Sequence, residues 1–259
     1  MGLDGAMSTP TVRSAADGPV GRITIDAPER LGAVDPAMCD AITEALTAFD
    51  ADPAVRVVAL GGTGRGFCSG APLSADGAQM GVLEAGERMV RAIVGSSTPV
   101  VALVHGVAAG IGVPMALACD YVLAADEAPF VLAFSRIGLM PDGGATALVT
   151  AAVGRARSMR LALTGEALDG ATAAQWGLVA ESVPSERFEE RAGELLAAFA
   201  AGPPLAYAET KAAVNAAALD LDGAFAREDA GQRRLGATED HQEGAAAFVG
   251  KRRPTFHGR

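Results

Sequence analysis

Cysteine, histidine and cationic side chains are all scarce in this chain, and each shortage removes a class of function. Three cysteines and three histidines among 259 residues leave little from which to build a metal centre. Cys39, Cys68 and Cys119 are odd in number and share no metal-type spacing, which excludes a disulfide framework and a zinc site. Lys and Arg number 21 against 31 Asp and Glu, a formal net charge of −10. No basic stripe opposes that charge, so a nucleic-acid binder is excluded. The one local cationic cluster is Lys251-Arg252-Arg253. Charge is missing altogether between residues 92 and 119, a run long enough to raise a membrane span. Residues 99–119, however, hold three glycines, two prolines and a histidine, the pattern of a strand–turn–helix inside a soluble core. No basic segment followed by an apolar run marks the N-terminus, so no signal peptide is visible and the expected location is cytoplasmic. Residues 1–10 read as a loose start, with Met7 as an alternative initiator.

Half of the residues are hydrophobic and a fifth are charged, the profile of a globular, oligomeric α/β protein. The length suffices for one large domain or a domain with an appendage. Val20 to Asp26 alternates as a half-buried strand should. Ala27 to Arg30 makes a turn, and Asp35-Pro36 opens a helix with Met38, Ile42, Leu46 and Phe49 at helical spacing. Val55 to Leu60 and Tyr121 to Ala125 read as strands, and Leu83 to Val94 as a helix. From Thr146 the chain turns helical, over 147–153, 156–164, 171–176, 186–200, 205–217, 223–235 and 239–250. The shift in composition predicts an α/β core to about residue 200 and a helical C-terminal region.

The stretch around which the chain is organised is Val100 to Asp120. It begins β-branched, breaks at His105-Gly106, passes Gly110-Ile111-Gly112 and starts a helix at Pro114, where a missing N–H costs nothing. Free backbone N–H groups near a helix N-terminus stabilise negative charge, either a bound phosphate or an oxyanion forming in a reaction. A dinucleotide fingerprint would need a third glycine where Met115 stands. A second glycine-rich turn runs from Gly61 to Leu73, with five glycines in its first ten residues. No Lys-Ser/Thr pair follows it as in a P-loop, and Gly66-Phe67-Cys68-Ser69-Gly70 has the wrong spacing for a serine-hydrolase elbow. A tight surface turn is the plain alternative. Asp142, in Pro141-Asp142-Gly143-Gly144, is either a functional carboxylate or the cap of the next helix.

Segments 64–73 (GRGFCSGAPL) and 105–120 (HGVAAGIGVPMALACD) together resemble the crotonase superfamily of enoyl-CoA hydratases and isomerases. Segments 134–146 (FSRIGLMPDGGAT), 154–179 and 243–258 (EGAAAFVGKRRPTFHG) extend the similarity over nearly all of the chain from about residue 20. The resemblance implies an α/β spiral of ββα units over residues 1–200, a helical trimerisation region over 201–259, and acyl-CoA thioester substrates. It implies Ala71 and Ile111 as the N–H donors to a thioester enolate, each worth on the order of 3 kcal/mol of barrier. Arg30, Cys68, Ser69, Gly70 and Gly110 are implied along the CoA ester. Phe248 and Lys251 are implied at the CoA of a neighbouring subunit in a trimer or dimer of trimers. No metal and no cofactor beyond substrate CoA are expected.

Three departures from the family pattern bear on the reaction. Pro114 and Phe134 stand where the hydratases carry their two glutamates, and Pro72 where many members have aspartate. Ordinary hydration then lacks its acid and base. Asp142 matches the aspartate of the subgroup that isomerises double bonds and rearranges the epoxide of phenylacetyl-CoA. The expectation is an acyl-CoA isomerase using one carboxylate. The alternatives are a weak hydratase whose water is positioned by Asp142 alone, and a non-catalytic acyl-CoA-binding protein.

Overall fold

The apolar runs of this sequence come in pairs separated by a short break, and the fold uses them that way. In the computed structural model the described residues are 10–74, 77–78 and 80–259. Nearly all of the expected loose start and residues 75, 76 and 79 lie outside them. In chain order the first elements are β1 (Thr11–Asp17), β2 (Val20–Asp26), α1 (Pro36–Asp50), β3 (Val57–Gly62) and β4 (Gly66–Cys68). Then follow β5 (Leu73–Ser74), β6 (Gly77–Ala78), α2 (Met80–Gly95), β7 (Val100–Val104), β8 (Val107–Ala109), α3 (Gly112–Ala118), β9 (Tyr121–Ala125) and β10 (Phe130–Val131). The remainder is α4 (Ala145–Thr164), β11 (Ala167–Leu168), α5 (Gly170–Trp176), β12 (Glu181–Val183), α6 (Phe188–Ala201), α7 (Pro204–Ala218), α8 (Leu221–Gly236) and α9 (Glu239–Val249).

The pairs β3/β4, β7/β8 and β9/β10 each send their first strand to one sheet and their second to another. The first sheet runs β1-β2-β3-β7-β9-β12, and the second β11-β10-β8-β4. Strands β2, β3, β7, β9 and β12 are mutually parallel, with Val58 opposite Val100 and Val101 opposite Tyr121. Such strands are covered on both faces, which is why they read as continuous apolar runs: Val57, Val58, Val100 and Val101 are all fully buried. The helix of each repeat packs against the strands, giving the spiral of ββα units. In α1, Asp35 accepts the Met38 N–H at 3.0 Å as the N-cap, and Met38, Ile42, Leu46 and Phe49 face the core.

Several elements differ from the expectations above. Strand β1 was not anticipated, because its residues TVRSAAD are almost all exposed and carry no apolar alternation. It exists by antiparallel pairing with β2, a tertiary contact that leaves no local signal. Strand β12 is equally short of signal. Helix α3 begins at Gly112 and not Pro114, since Ile111 already has helical angles (φ −60°, ψ −20°). Pro114 still lies in the first turn, where its missing N–H is harmless. The helices expected over 147–153 and 156–164 are both present and part at Gly154, whose φ of 74° and ψ of 165° are not helical. Among the described residues, no helix is long and apolar enough to cross a membrane.

Candidate active site

Strands β4 and β8 are parallel neighbours, with Gly66 beside Val107 and Cys68 beside Ala108. Their C-terminal turns, Ser69-Gly70-Ala71 and Gly110-Ile111, therefore emerge side by side. The backbone there is pinned by Ser69 N–H donating to the Leu31 carbonyl at 3.0 Å and Gly110 N–H to that of Val131 at 3.1 Å. Among the described residues, no acceptor meets the N–H of Ala71 or of Ile111. The close approach of the turns depends on Gly112, where a Cβ would stand 2.3 Å from the Cys68 carbonyl oxygen.

The two turns border a cavity of about 470 Å³, which Asp142, Gln232, Phe134 and Phe248 also line. A second cavity of about 290 Å³ lies beneath α7, beside the Lys211–Asp120 ion pair, and holds neither turn. Ser69, Gly70 and Gly110 line the larger cavity. The Ser69 hydroxyl, though, donates to the Arg30 carbonyl at 2.8 Å, so it braces the loop. Cys68 and Arg30 do not reach the cavity. Cys68 is fully buried behind its wall, and burial pushes its thiol up to about 12. Arg30 turns toward the start of α1, with Nη2 3.9 Å from Asp35. Phe248 lies on the rim of its own chain's cavity and is 61% exposed. Lys251 follows α9 and does not line the cavity.

Asp142 is the sole carboxylic acid among the described lining residues. The capping role is not its own. The N-cap of α4 is Gly144, with no side-chain cap, and Asp142 contributes only its backbone carbonyl to the Ala145 N–H. The helix start is satisfied from a distance by Glu228 of α8, which accepts from Gly144 N–H at 2.7 Å, Thr146 N–H at 2.9 Å and the Thr146 hydroxyl. Four residues on, Gln232 donates from Nε2 to Asp142 Oδ2 at 2.7 Å and to the Met140 carbonyl at 2.8 Å. Helix α8 thus grips the Asp142 loop on both sides. Burial first, then the nearby Glu228 and Glu87 carboxylates, push Asp142 up to about 7 against the lowering by Gln232. Sequence reasoning missed Glu228 and Gln232. The available signal was an i, i+4 polar pair on the helix face that buries Phe225.

The pocket's backs are apolar. Phe134, in a 3₁₀ turn over Ala133–Ile137, fills one of the positions where a second acid was expected in hydratases. Pro114 fills the other and stands against Gly143, where a Cβ would come within 3.2 Å of its ring. The turns bearing the Ala71 and Ile111 N–H groups and the near-neutral Asp142 carboxyl line one largely apolar cavity, an arrangement that suits proton transfer next to an oxyanion.

Residues 15–259 match the enoyl-CoA hydratase/isomerase family. A probable enoyl-CoA hydratase of Rhodobacter capsulatus is 41% identical over 98% of this chain and 100% of its own length. The 1,2-epoxyphenylacetyl-CoA isomerase of Escherichia coli K12 is 37% identical over 92% of this chain and 94% of its own. A crystal structure of an enoyl-CoA hydratase from Mycobacterium avium subsp. paratuberculosis superposes with a TM-score of 0.90 at 45% identity, over 96% and 100% of the two chains. The chain belongs to the enoyl-CoA hydratase/isomerase family and has the crotonase fold.

Proposed function

We propose that this enzyme is an acyl-CoA isomerase in which Asp142 alone moves the proton. The observation that carries the reading is that Asp142, the one carboxylic acid among the described lining residues, shares the cavity with Ala71 and Ile111. Asp142 removes a proton from the carbon alpha to the thioester, and the charge passes to the thioester oxygen between the two N–H donors. The same carboxyl returns the proton two carbons along as the double bond shifts. A carboxyl near neutrality serves both halves, being basic enough to accept and acidic enough to donate. The apolar lining, Phe134 and Leu83 among it, supports a neutral acyl group. The substrate carries the only CoA required, with no metal or further cofactor.

Hydration is the second reading, favoured by the name of the Rhodobacter relative. A panel of 3-enoyl-, 2-enoyl- and 1,2-epoxyphenylacetyl-CoA separates the two. Double-bond migration or epoxide rearrangement is expected, with little hydration of crotonyl-CoA. Hydration of crotonyl-CoA at an ordinary hydratase's rate would overturn the isomerase assignment, and CoA-ester binding without turnover of any member would indicate a binding protein.

The assembly we propose is a homotrimer or a dimer of trimers. Supporting it, α7 buries none of its residues in one chain and exposes Leu205 and Val214. Lys251 then supplies a cation to CoA phosphate in a protein of net charge −10. Lys251→Ala is expected to raise KM for the CoA ester several-fold at low salt, less at high salt, with kcat unchanged. A monomer in sedimentation that turns over substrate with full affinity would overturn the assembly.

A further inference from the structure

The buried amide of Gln232 carries more information than its hydrogen bonds first suggest. Gln232 is only 5% exposed, and its Nε2 faces two acceptors, the Met140 carbonyl at 2.8 Å and Asp142 Oδ2 at 2.7 Å. A carbonyl cannot donate, so the end of the amide turned to Met140 must be the nitrogen. Both of its hydrogens are then committed. Asp142 Oδ2 is therefore an acceptor whether the carboxyl is charged or neutral, and a proton on Asp142 has its place on Oδ1.

We infer that Gln232 is a positioning residue for proton transfer, reserving Oδ2 of Asp142 as an acceptor and confining the travelling proton to Oδ1. The inference rests on the isomerase reading above. In the forward step the C–H bond alpha to the thioester breaks, an O–H bond forms at Oδ1, and the electron pair moves onto the thioester oxygen. In the return step that pair re-forms the carbonyl, a double bond forms between the alpha and beta carbons, and the former alkene pair takes the proton from Oδ1 at the gamma carbon. No electrons are gained or lost overall. One oxygen serving both carbons requires a carboxyl that does not rotate between steps, and the bond to Gln232 supplies that restraint.

The surroundings make this restraint matter. The charged groups facing Asp142 are Glu228 from α8 and Glu87 from α2, and both disfavour its ionised form. Glu87 Oε1 is itself buried without a hydrogen-bond partner among the described residues. Arg136 lines the same cavity from the 3₁₀ turn but gives its Nη2 to the Gly165 carbonyl at 2.6 Å. Gln232 is thus the donor that offsets two repelling acids.

The test is Gln232→Met, which keeps the volume and removes the donor, with Gln232→Asn as a shorter amide in case the first variant folds poorly. Gln232→Met is expected to lower kcat about tenfold with KM within about twofold. The acid limb of its kcat profile is expected about one pH unit higher, because the lost bond favoured the carboxylate. Gln232→Asn is expected to fall between the methionine variant and the wild type. A folded Gln232→Met, or an Asn variant in its place, with wild-type kcat and acid limb would overturn the inference. Carbon-13 NMR titration of the Asp142 carboxyl, wild type against variant, separates this from the parent reading. A wild type that isomerises nothing overturns that reading alone, and the positioning role then stands or falls on whether the carboxyl titrates higher in the variant.

Discussion

Asp142→Asn is expected to lower kcat for isomerisation by about 10²–10⁴-fold, the usual contribution of a positioned acid–base group, while KM for the CoA ester changes little. In the wild type, kcat should rise with pH through about 7, where Asp142 becomes the carboxylate that accepts the proton. The variant should lose that limb. Its stability should move the other way. The folded carboxyl is raised above its unfolded value near 4, so its contribution to stability is fully present below about pH 4 and is lost as pH rises through about 7. At pH 8 the wild type holds a buried charge against the Glu228 and Glu87 carboxylates. Asparagine is the same size, can accept from Gln232 and carries no charge. The variant is expected to gain on the order of 1–3 kcal/mol at pH 8 and nearly nothing at pH 4. Thermal unfolding at the two pH values checks this. A loss of about 1 kcal/mol at both would restore the helix-cap role that the Gly144 cap argues against.

Gly112→Ala is expected to damage both stability and catalysis. Its Cβ would lie 2.3 Å from the Cys68 carbonyl oxygen and 2.9 Å from the Cys68 Cβ, and a strand carbonyl cannot swing aside as a side-chain end can. Relief requires α3 and β4 to part, which costs on the order of 2–4 kcal/mol. Gly112 directly follows Ile111, and Cys68 precedes the turn that ends in Ala71. Parting them therefore separates the two N–H donors. Losing one donor is worth about 10²–10³ in kcat, and the folded fraction of the variant should show a loss of that order. Thermal unfolding with turnover normalised to folded protein measures both effects. Wild-type values for both would mean that the turns do not pack this closely in solution.

Much of the scaffold is written locally. Buried parallel strands such as Val57–Gly62 and Val100–Val104 announce themselves as β-branched runs because both of their faces lack water. Helix α1 announces itself through its Asp35-Pro36 start and its apolar spacing. The two glycine-rich turns and Asp142 were legible for the same reason: turn geometry and a carboxylate in an apolar segment are properties of a few consecutive residues. The sequence by itself therefore determined the strand–turn–helix units, the N–H turns and the candidate base.

Tertiary structure alone decided what those pieces do together. It placed the Ala71 and Ile111 turns side by side, through pairing of β4 with β8 across some forty residues of chain. It moved the capping of α4 from Asp142 to Glu228, eighty-odd residues away, which leaves Asp142 free to face the cavity. It gave Asp142 a hydrogen-bond partner in Gln232 and two repelling neighbours, and so its near-neutral titration. It also turned Cys68 and Arg30 away from the cavity and brought Phe248 to the rim of its own chain's site. The physical reason is common to all of these. Desolvation, charge repulsion and long-range hydrogen bonds depend on distance in space, whereas propensity and periodicity record only distance along the chain.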